Sequence, residues 1–439
     1  MKHKPILIAG CIILLSQLAL QPLLAQDSTR SITLKEAIDL SIKNSKQLKN
    51  NKAKIDEATA VVEEAKDNKL PDFSVTASYL YLPVNPDINL KTDTSKGGFP
   101  KVSQALYGIA NVSLPIYTGG KIKYGIESAK YLEQAAKLDA DGNKQDIIAN
   151  TINAFSNLYK AKATVAIVQD NLNQSNQRVT DFSNLEKNGL LARNDLLKAE
   201  LQSSNIELAL VDAQSNYKLA SVNMDLMLGL PEQTVLIPDS ASLIQATEIK
   251  TVDEYEQQAL QNRKDLAALS FRQKAASLNI KSIKSDYYPS LAVTGGYIAA
   301  DIPKFISITN AVDVGVGIQY NLASLWKTKS KLAEANAKVA ELSANQEMLN
   351  DDIRLQINEA YQTYLVTQKK IEVYQKAVEQ ANENYRITKN KYDNALETLT
   401  DLLDADVAQL QAKLNASNAA ADAVVAYNKL LQTAGLLNN

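Results

Sequence analysis

The chain repeats itself, and this repeat limits the folds that it can adopt. The phrase "NGLLARNDLLKAE" at residues 188–200 matches "NALETLTDLLDAD" at residues 394–406 when the two are aligned with a shift of 206. The asparagine, an aspartate, a pair of leucines and an alanine recur in the same order, and acidic Glu200 meets acidic Asp406. We therefore expect a fold built from two copies of one structural unit.

A second pair of segments is related by a shift of 218. "TLKEAIDLSIKNSKQL" begins at Thr33 and "TVDEYEQQALQNRKDL" begins at Thr251, and both start with Thr-x-x-Glu, which is typical of a helix start. Each segment predicts a helix that runs towards a proline, Pro71 or Pro289. The difference between the shifts of 218 and 206 makes the first copy 12 residues longer, and the polar, turn-rich insert at 84–103 is the predicted site of the addition.

Each of these helices precedes two segments that are typical of strands. The alternation of apolar residues with polar or small ones is clearest at Val312, Val314, Val316, Ile318 and Tyr320. A soluble sandwich would alternate too, but strands of about ten residues with aromatic residues near their ends favour an outer-membrane barrel. These aromatic residues are Phe73, Tyr79, Tyr81, Tyr107, Tyr117, Tyr288, Tyr297 and Tyr320. Four strands cannot close a barrel and lipid does not tolerate open edges, so several chains are expected to contribute.

Two stretches without proline, 120–189 and about 325–394, predict very long helices. A helix of about 70 residues is roughly 100 Å long. Apolar residues in the second stretch recur at intervals of seven, at Ile357, Tyr364, Ile371, Val378, Tyr385, Tyr392 and Leu399. This repeat predicts helices that pack along their length with a left-handed supercoil. An ordinary coiled coil would also fit, but the strands and the many Ala, Ser, Asn and Gln residues favour a wide wall of several helices.

These patterns divide the chain into four predicted parts. Residues 1–25 contain two lysines and an apolar run, as an export signal does, and no later run of about 18 apolar residues could form a membrane helix. The first repeat occupies 26–230, with a hairpin at about 72–117, and an inter-repeat segment follows at 231–250. The second repeat occupies 251–439, with a hairpin at about 290–321. In both repeats a long helical hairpin follows the strands.

The composition excludes several classes of chemistry. The only histidine is His3 and the only cysteine is Cys11, so the predicted mature chain has neither. Cys11 could belong to a lipidation box, but the apolar run continues past it, which favours a cysteine inside the signal. Catalytic triads with His, thiol nucleophiles and the usual zinc sites are thereby excluded. We predict that the protein is not an enzyme and holds no metal or cofactor, and the net charge of −2 gives no basic excess for nucleic acid.

Several segments, in the same order in both copies, resemble the TolC-like outer-membrane efflux protein family. They are "LKEAIDLSIKNS", "LPDFSVTASYLY", "LPIYTGGK", "GLLARNDLLKAE", "NRKDLAALSFRQKAA" and "YDNALETLTDLLDAD". The resemblance covers almost the whole predicted mature chain, from about Ile32 to Leu437.

The resemblance implies a fold that is mainly α with membrane β. Long antiparallel helices of three identical chains form an α-helical barrel, and four strands from each chain contribute to a 12-stranded β-barrel in the outer membrane. It further implies an exit duct for efflux or type I secretion in a Gram-negative bacterium, extending into the periplasm. The implied partners are two further copies of the chain, a periplasmic adaptor protein, an inner-membrane transporter and outer-membrane lipid. The segment at 231–250 resembles part of the family's equatorial region.

The resemblance also implies a narrow periplasmic aperture at the two helical turns. Asp401 and Asp404 match the acidic residues that the family places around this aperture. At positions i and i+3 they share a helix face, so three chains would present six carboxylates. Such a ring favours cations and opposes closure.

The family closes its aperture through links between neighbouring helical hairpins. Tyr392 matches a linking tyrosine and Asp195 matches its aspartate partner. This sequence departs from the pattern at two positions, because Glu397 replaces an arginine and Asn194 replaces a threonine. A carboxylate cannot form the arginine–aspartate pair, so a different latch is expected, with Arg193 as a candidate. The structural alternative for Asp401 and Asp404 is a solvated helix end.

A different class of function also fits the repeats. An exported coiled-coil scaffold or adhesin without a pore could carry small β caps, and its duplication would only lengthen a rod. The two hypotheses make different predictions for the strands. In a duct the strands insert into a membrane, whereas in a scaffold they do not.

Overall fold

The computed structural model describes residues 29–84, 102–239, 249–303 and 305–437. The predicted signal peptide, most of the polar insert and part of the inter-repeat segment lie outside these residues. The helices are α1 (Leu34–Asn44), α2 (Lys46–Asp67), α3 (Lys121–Lys187), α4 (Arg193–Leu228), α5 (Val252–Asn262), α6 (Lys264–Lys284), α7 (Ser324–Asp393) and α8 (Leu399–Thr433). The strands are β1 (Thr29–Ile32), β2 (Asp72–Tyr81), β3 (Gln104–Tyr117), β4 (Val235–Pro238), β5 (Ser290–Ile302) and β6 (Ile306–Gln319).

The boundaries of the elements follow the two repeat shifts. Helix α5 begins and ends 218 positions after α1, and β5 begins 218 positions after β2. The end of α7 and the start of α8 lie 206 positions after the end of α3 and the start of α4. Helix α3 has 67 residues and α7 has 70, so each is a single long helix as the sequence predicts. In the part of the chain that the structure describes, none of the helices is apolar over a length that could cross a membrane.

The two Thr-x-x-Glu segments do start helices. In the second copy the Thr251 hydroxyl accepts from the Glu254 amide at 3.4 Å, and Glu254 accepts from the Thr251 amide at 2.9 Å. Each side chain thus satisfies a backbone N–H that would otherwise lack an acceptor at the helix end. In the first copy the Thr33 hydroxyl caps the Glu36 amide at 3.2 Å, whereas the Glu36 carboxylate pairs with Arg30.

A four-stranded antiparallel sheet contains both hairpins. Its strand order is β2-β3-β5-β6, so β2 and β6 are the edge strands. In the register, Phe73 pairs with Val112 and Val293 pairs with Val316, and paired residues lie on the same face of a sheet. Strands β1 and β4 form a separate two-stranded parallel ribbon.

One face of the four-stranded sheet is apolar across all four strands. Its residues are Phe73, Val75, Tyr79, Val112, Leu114, Val293, Tyr297, Val312, Val314, Val316 and Ile318. In the single chain these side chains are largely uncovered, and Val314 is 82% exposed. The opposite face carries mostly small or polar residues, which include Ser74, Asn111, Thr294, Gly296, Asp313 and Gly315.

The chain forms two compact units, and each draws segments from both repeats. The first contains the described residues of 1–46, 145–255 and 357–439, and the second contains those of 47–144 and 256–356. In the first unit, α1, α3 and α4 pack around the β1–β4 ribbon through Ile32, Phe155, Leu158, Met224, Leu228 and Leu236, all fully buried. The four-stranded sheet belongs to the second unit.

The seven-residue repeat marks a packed helix face. Ile357, Tyr364 and Leu399 are buried. The four members between Tyr364 and Leu399 are half-buried. The burial of the members from Ile357 to Tyr392 confirms the packed face of α7 that the sequence predicts, whereas Leu399 lies beyond the turn and is buried in α8.

Candidate functional site

Two helical turns, α3–α4 and α7–α8, form the region that the sequence singles out. Both turns have the same backbone structure. The Leu190 amide donates to the Leu185 carbonyl and the Leu396 amide donates to the Lys391 carbonyl, each at 2.8 Å. The preceding residues, Gly189 with φ of 71° and Ala395 with φ of 58°, adopt the left-handed conformation that this helix end requires.

A small core and a cavity lie beside the turns. The core joins both hairpins through Phe182, Leu196, Ala199, Leu399 and Leu402. The cavity has a volume of about 790 Å³, and three of the predicted residues, Asp195, Tyr392 and Glu397, line it. The structure therefore brings these three together within one chain.

Asp401 and Asp404 are both exposed on the first turns of α8. Asp401 also has a structural task, because its carboxylate accepts from the Thr398 amide at 3.2 Å and the Thr398 hydroxyl caps the Asp401 amide. Hydrogen bonds from Thr398 hold the pKa of Asp401 below its ordinary value. Asp401 therefore takes part in the cap of α8, and its ionised carboxylate remains accessible to solvent.

Tyr392 packs inside the region. Its ring lies against Phe182, with 5.8 Å between the ring centroids. Burial raises the pKa of the Tyr392 hydroxyl, and the nearby charges of Asp195 and Asp393 raise it further. Asp195 forms an ion pair with Lys198 at 3.5 Å. Tyr392 and Asp195 are therefore close in a single chain and come from different hairpins.

The remaining predicted residues have local partners or face solvent. Glu397 pairs with Lys391 at 2.9 Å, so its carboxylate is neutralised within the same turn. Arg193 lies 4.0 Å from Glu186 and is 61% exposed, and Asn194 is exposed at the start of α4. Within the chain, Arg193 therefore contacts its own hairpin.

Sequence reasoning missed a buried polar cluster beside the cavity. Arg178 of α3 donates to Asp406 of α8 at 3.1 Å and to the Tyr385 hydroxyl of α7 at 3.2 Å. Asn171 donates to the other oxygen of Asp406 at 3.2 Å. Only 8% of Arg178 and 1% of Asp406 are exposed. Burial alone would lower the pKa of Arg178, but the charge of Asp406 raises it above its ordinary value. The cluster therefore links α3 to α8 by a buried ion pair and to α7 by a hydrogen bond.

The sequence does contain a signal for this cluster. Leu399, Leu402, Asp406 and Gln409 follow the spacing of a packed helix face, and all four are buried. A charged residue in such a pattern indicates a buried partner, since an isolated buried charge is very costly. The pattern does not name the partner, which lies 228 positions away.

The model of a known protein family matches most of the chain. The match covers residues 37–230 and 256–436, and the family is described as "Outer membrane efflux protein". This chain belongs to the outer membrane efflux protein family. The resemblance seen in the sequence is confirmed, and the family consists of channel proteins rather than enzymes. No curated protein matches the chain.

Solved structures show the same fold. The outer-membrane channel OprN is 19% identical, with 92% of this chain and 89% of that chain covered and a TM-score of 0.77. VceC from Vibrio cholerae is 19% identical, with coverage of 92% and 96% and a TM-score of 0.75. The Campylobacter jejuni outer membrane channel CmeC is 17% identical, with coverage of 92% and 85% and a TM-score of 0.75. Because the sequence identity to these structures is low, the similarity establishes the fold of this outer membrane efflux protein and nothing further.

Proposed function

We propose that this outer membrane efflux protein is the exit duct of a tripartite efflux or type I secretion system. In this proposal three identical chains form a continuous tunnel that crosses the outer membrane and extends into the periplasm of a Gram-negative bacterium. An inner-membrane transporter delivers the substrate, and a periplasmic adaptor protein joins the transporter to the duct. The protein itself carries no catalytic step.

One observation carries the proposal, namely the uncovered apolar face of the four-stranded sheet. Val312, Val314, Val316 and Ile318 of the edge strand β6 are each at least 73% exposed. A contiguous apolar surface of this kind is unfavourable in water and favourable against lipid chains. The opposite face is polar or small, as expected for a surface that borders a water-filled tunnel.

The sheet also supports assembly from several chains. Strands β2 and β6 each pair on one side only within the described chain. Backbone groups at such an edge have no water to bind in lipid, so both edges need partner strands. Pairing β2 of one chain with β6 of the next would satisfy them. Three chains then supply the 12 strands of a closed barrel.

The two helical turns are the proposed aperture. Asp401 and Asp404 of three chains would place six exposed carboxylates around the opening. The lowered pKa of Asp401 keeps its carboxylate ionised at neutral pH, so the ring attracts cations. With Glu397 paired to Lys391, we propose that the closed state depends on the packing of Tyr392 beside Asp195, with Arg193 and Asn194 at the contact between neighbouring chains.

Conductance in planar bilayers tests the duct and its aperture. The variant carrying Asp401→Asn and Asp404→Asn removes both charges, and asparagine at 401 can still accept from Thr398. We expect the purified protein to conduct and the variant to lose most of its cation preference while its conductance persists. Asp351→Asn with Asp352→Asn removes the same charge from exposed positions of α7 and should leave the selectivity almost unchanged. A stable monomer that remains in aqueous solution and does not conduct would instead favour the scaffold.

A further inference from the structure

A second cavity lies in the other compact unit, where strands lead into the long helices. It has a volume of about 390 Å³, and its lining includes Lys121 at the start of α3 and both Lys327 and Lys331 near the start of α7. The acidic residue of the lining is Asp286, in the short 3₁₀ helix Ser285–Tyr287 that precedes β5. This cavity is separate from the proposed aperture, and the family resemblance assigned it no role.

The cavity has an excess of positive charge. Lys121 pairs with one oxygen of Asp286 at 2.9 Å and Lys331 pairs with the other at 3.3 Å. Both oxygens of the single carboxylate are thus occupied, and three lysines against one aspartate leave a net charge of +2. Lys327 has no ion pair within the part of the chain that the structure describes. The side chains of Lys121 and Lys331 remain more than half exposed, so their ammonium groups are accessible to a ligand.

Two helix starts add to this positive potential. A helix N-terminus carries a partial positive charge, which acidic residues in the first turn usually offset. Neither α3 nor α7 has an acidic residue in its first turn, and Lys121 and Lys327 occupy those turns instead. Lysines at such positions raise the local potential rather than balance it. A bound anion would be attracted both by the lysine ammonium groups and by the two helix N-termini.

The duplication places the lysines in matching positions. Lys121-Ile122-Lys123 and Lys327-Thr328-Lys329 are 206 positions apart, which is the shift that relates the two copies in this part of the chain. Each long helix thus carries Lys-x-Lys within its first six residues, and the fold brings the first lysine of each pair to one cavity. A random surface charge would not be expected to recur with the repeat and to converge in space.

We propose that this cavity binds a phosphate-bearing anion, and specifically the headgroup of an anionic phospholipid. Exposed apolar side chains favour a lipid over a free anion: Tyr288, which lines the cavity, is 58% exposed, and Leu325 and Trp326, which precede Lys327 in α7, are 55% and 63% exposed. Tryptophan, tyrosine and lysine together are typical of the membrane–water boundary. The ammonium groups would hold the phosphate, and these apolar groups would contact the acyl chains. The inference does not depend on conduction or on a transporter.

Trp326 provides a direct readout, since it is the only tryptophan and adjoins Lys327. The purified full-length protein in a zwitterionic detergent is titrated with dihexanoyl-phosphatidylglycerol, with glycerol 3-phosphate and with dihexanoylglycerol, which lacks the phosphate. We expect phosphatidylglycerol to change the Trp326 emission with a saturable, salt-sensitive curve and dihexanoylglycerol to have no such effect. The variant K121Q/K327Q/K331Q should bind phosphatidylglycerol about 100-fold more weakly.

The control variant K123Q/K130Q/K329Q removes the same charge from exposed positions of the same two helices and should bind as the unchanged protein does. Circular dichroism verifies folding, and K327Q alone, which breaks no ion pair with Asp286, tests the site if the triple variant fails to fold. An equal response to glycerol 3-phosphate would support the phosphate site and assign it to a soluble anion. No response to either phosphate compound, or equal weakening in the control variant, would overturn the proposal.

Discussion

At the residue scale, equivalent positions of the two copies adopt the same backbone conformation but carry different side chains. Gly189 and Ala395 both adopt a positive φ, yet only glycine does so without steric cost. A methyl group added at Gly189 would meet no atom within 4 Å, so the surroundings do not explain the difference. The second helical turn is therefore strained by its own backbone.

Placing glycine at 395 should relieve the backbone strain of the second turn, and placing alanine at 189 should introduce the same strain into the first. We expect Ala395→Gly to stabilise its turn and Gly189→Ala to destabilise the other by about 1 kcal/mol. Hydrogen exchange of the Leu190 and Leu396 amides measures each turn separately. Faster exchange at Leu396 in Ala395→Gly would contradict the argument, because relief of strain must strengthen that hydrogen bond.

Asp225 shows a second difference between the copies. It lies in the last turn of α4 and is fully buried, and neither side-chain oxygen has a hydrogen-bond partner among the described residues. The equivalent residue at the end of α8 is Leu431, and both accept the same helix-ending bond of 2.8 Å through their carbonyls. Burial, followed by the charge of Glu232, raises the pKa of Asp225 to about 6.

This raised pKa predicts a loss of stability with rising pH. An acid whose folded pKa exceeds its unfolded value costs nothing below about pH 4, and its penalty is complete above about pH 6. Asp225→Leu should therefore raise the melting temperature much more at pH 7.5 than at pH 4, with a free-energy difference of at most about 3 kcal/mol. Thermal unfolding in detergent at both pH values provides the measurement. An equal gain at both would mean that packing rather than charge is responsible.

At the scale of elements, the ionic cluster of Arg178 and Asp406 matters more than the many surface pairs. It joins α3, α7 and α8, whereas pairs such as Lys66–Glu63 lie on one helix in contact with water. A buried ion pair contributes little net stability when intact, but the loss of one partner leaves an uncompensated charge. The cluster therefore favours one arrangement of the facing helices near the two helical turns.

Substitutions at Arg178 and Asp406 should distinguish the net stability of the intact ion pair from the cost of leaving one buried charge without its partner. Arg178→Ala is expected to cost about 3–5 kcal/mol, because Asp406 stays buried without its ion-pair partner. The double variant with Asp406→Ala should recover part of this loss. Lys66→Ala serves as the control and should change stability by less than about 1 kcal/mol. Chemical denaturation followed by circular dichroism compares the variants, and a similar cost for Arg178→Ala and Lys66→Ala would show that the buried pair has no special weight.

At the scale of the whole molecule, the two faces of the sheet should differ in their tolerance of charge. Val314 and Gly315 are neighbours in β6 at the same depth and lie on opposite faces. Val314→Lys places an ammonium group on the apolar face, where lipid contact costs about 2–4 kcal/mol, whereas Gly315→Lys places it on the polar face. We expect only Val314→Lys to reduce insertion into liposomes, as measured by the fraction that floats with the lipid. Equal insertion of both variants would argue against a lipid-facing surface.

The sequence alone determined most elements of this protein, although not the strands β1 and β4. The two shifts located equivalent helices and strands, Thr251 and Glu254 marked a helix start, and the spacing from Ile357 to Tyr392 marked the packed face of α7. These features are local or periodic, so the chemistry of neighbouring residues is sufficient to specify them. Asp195, Tyr392 and Glu397 were also identified from the sequence, through their resemblance to a family, and the structure places them around one cavity.

Only the tertiary structure decided which distant residues meet. Asp406 was visible as a charge on a packed face, but its partner Arg178 depends on the register between two helices. The same holds for Lys121 and Lys327, which share a cavity only because the strands before them bring two helix starts together. A helix fixes the direction of each side chain and leaves open what lies across from it, so such contacts require the packing of the whole chain.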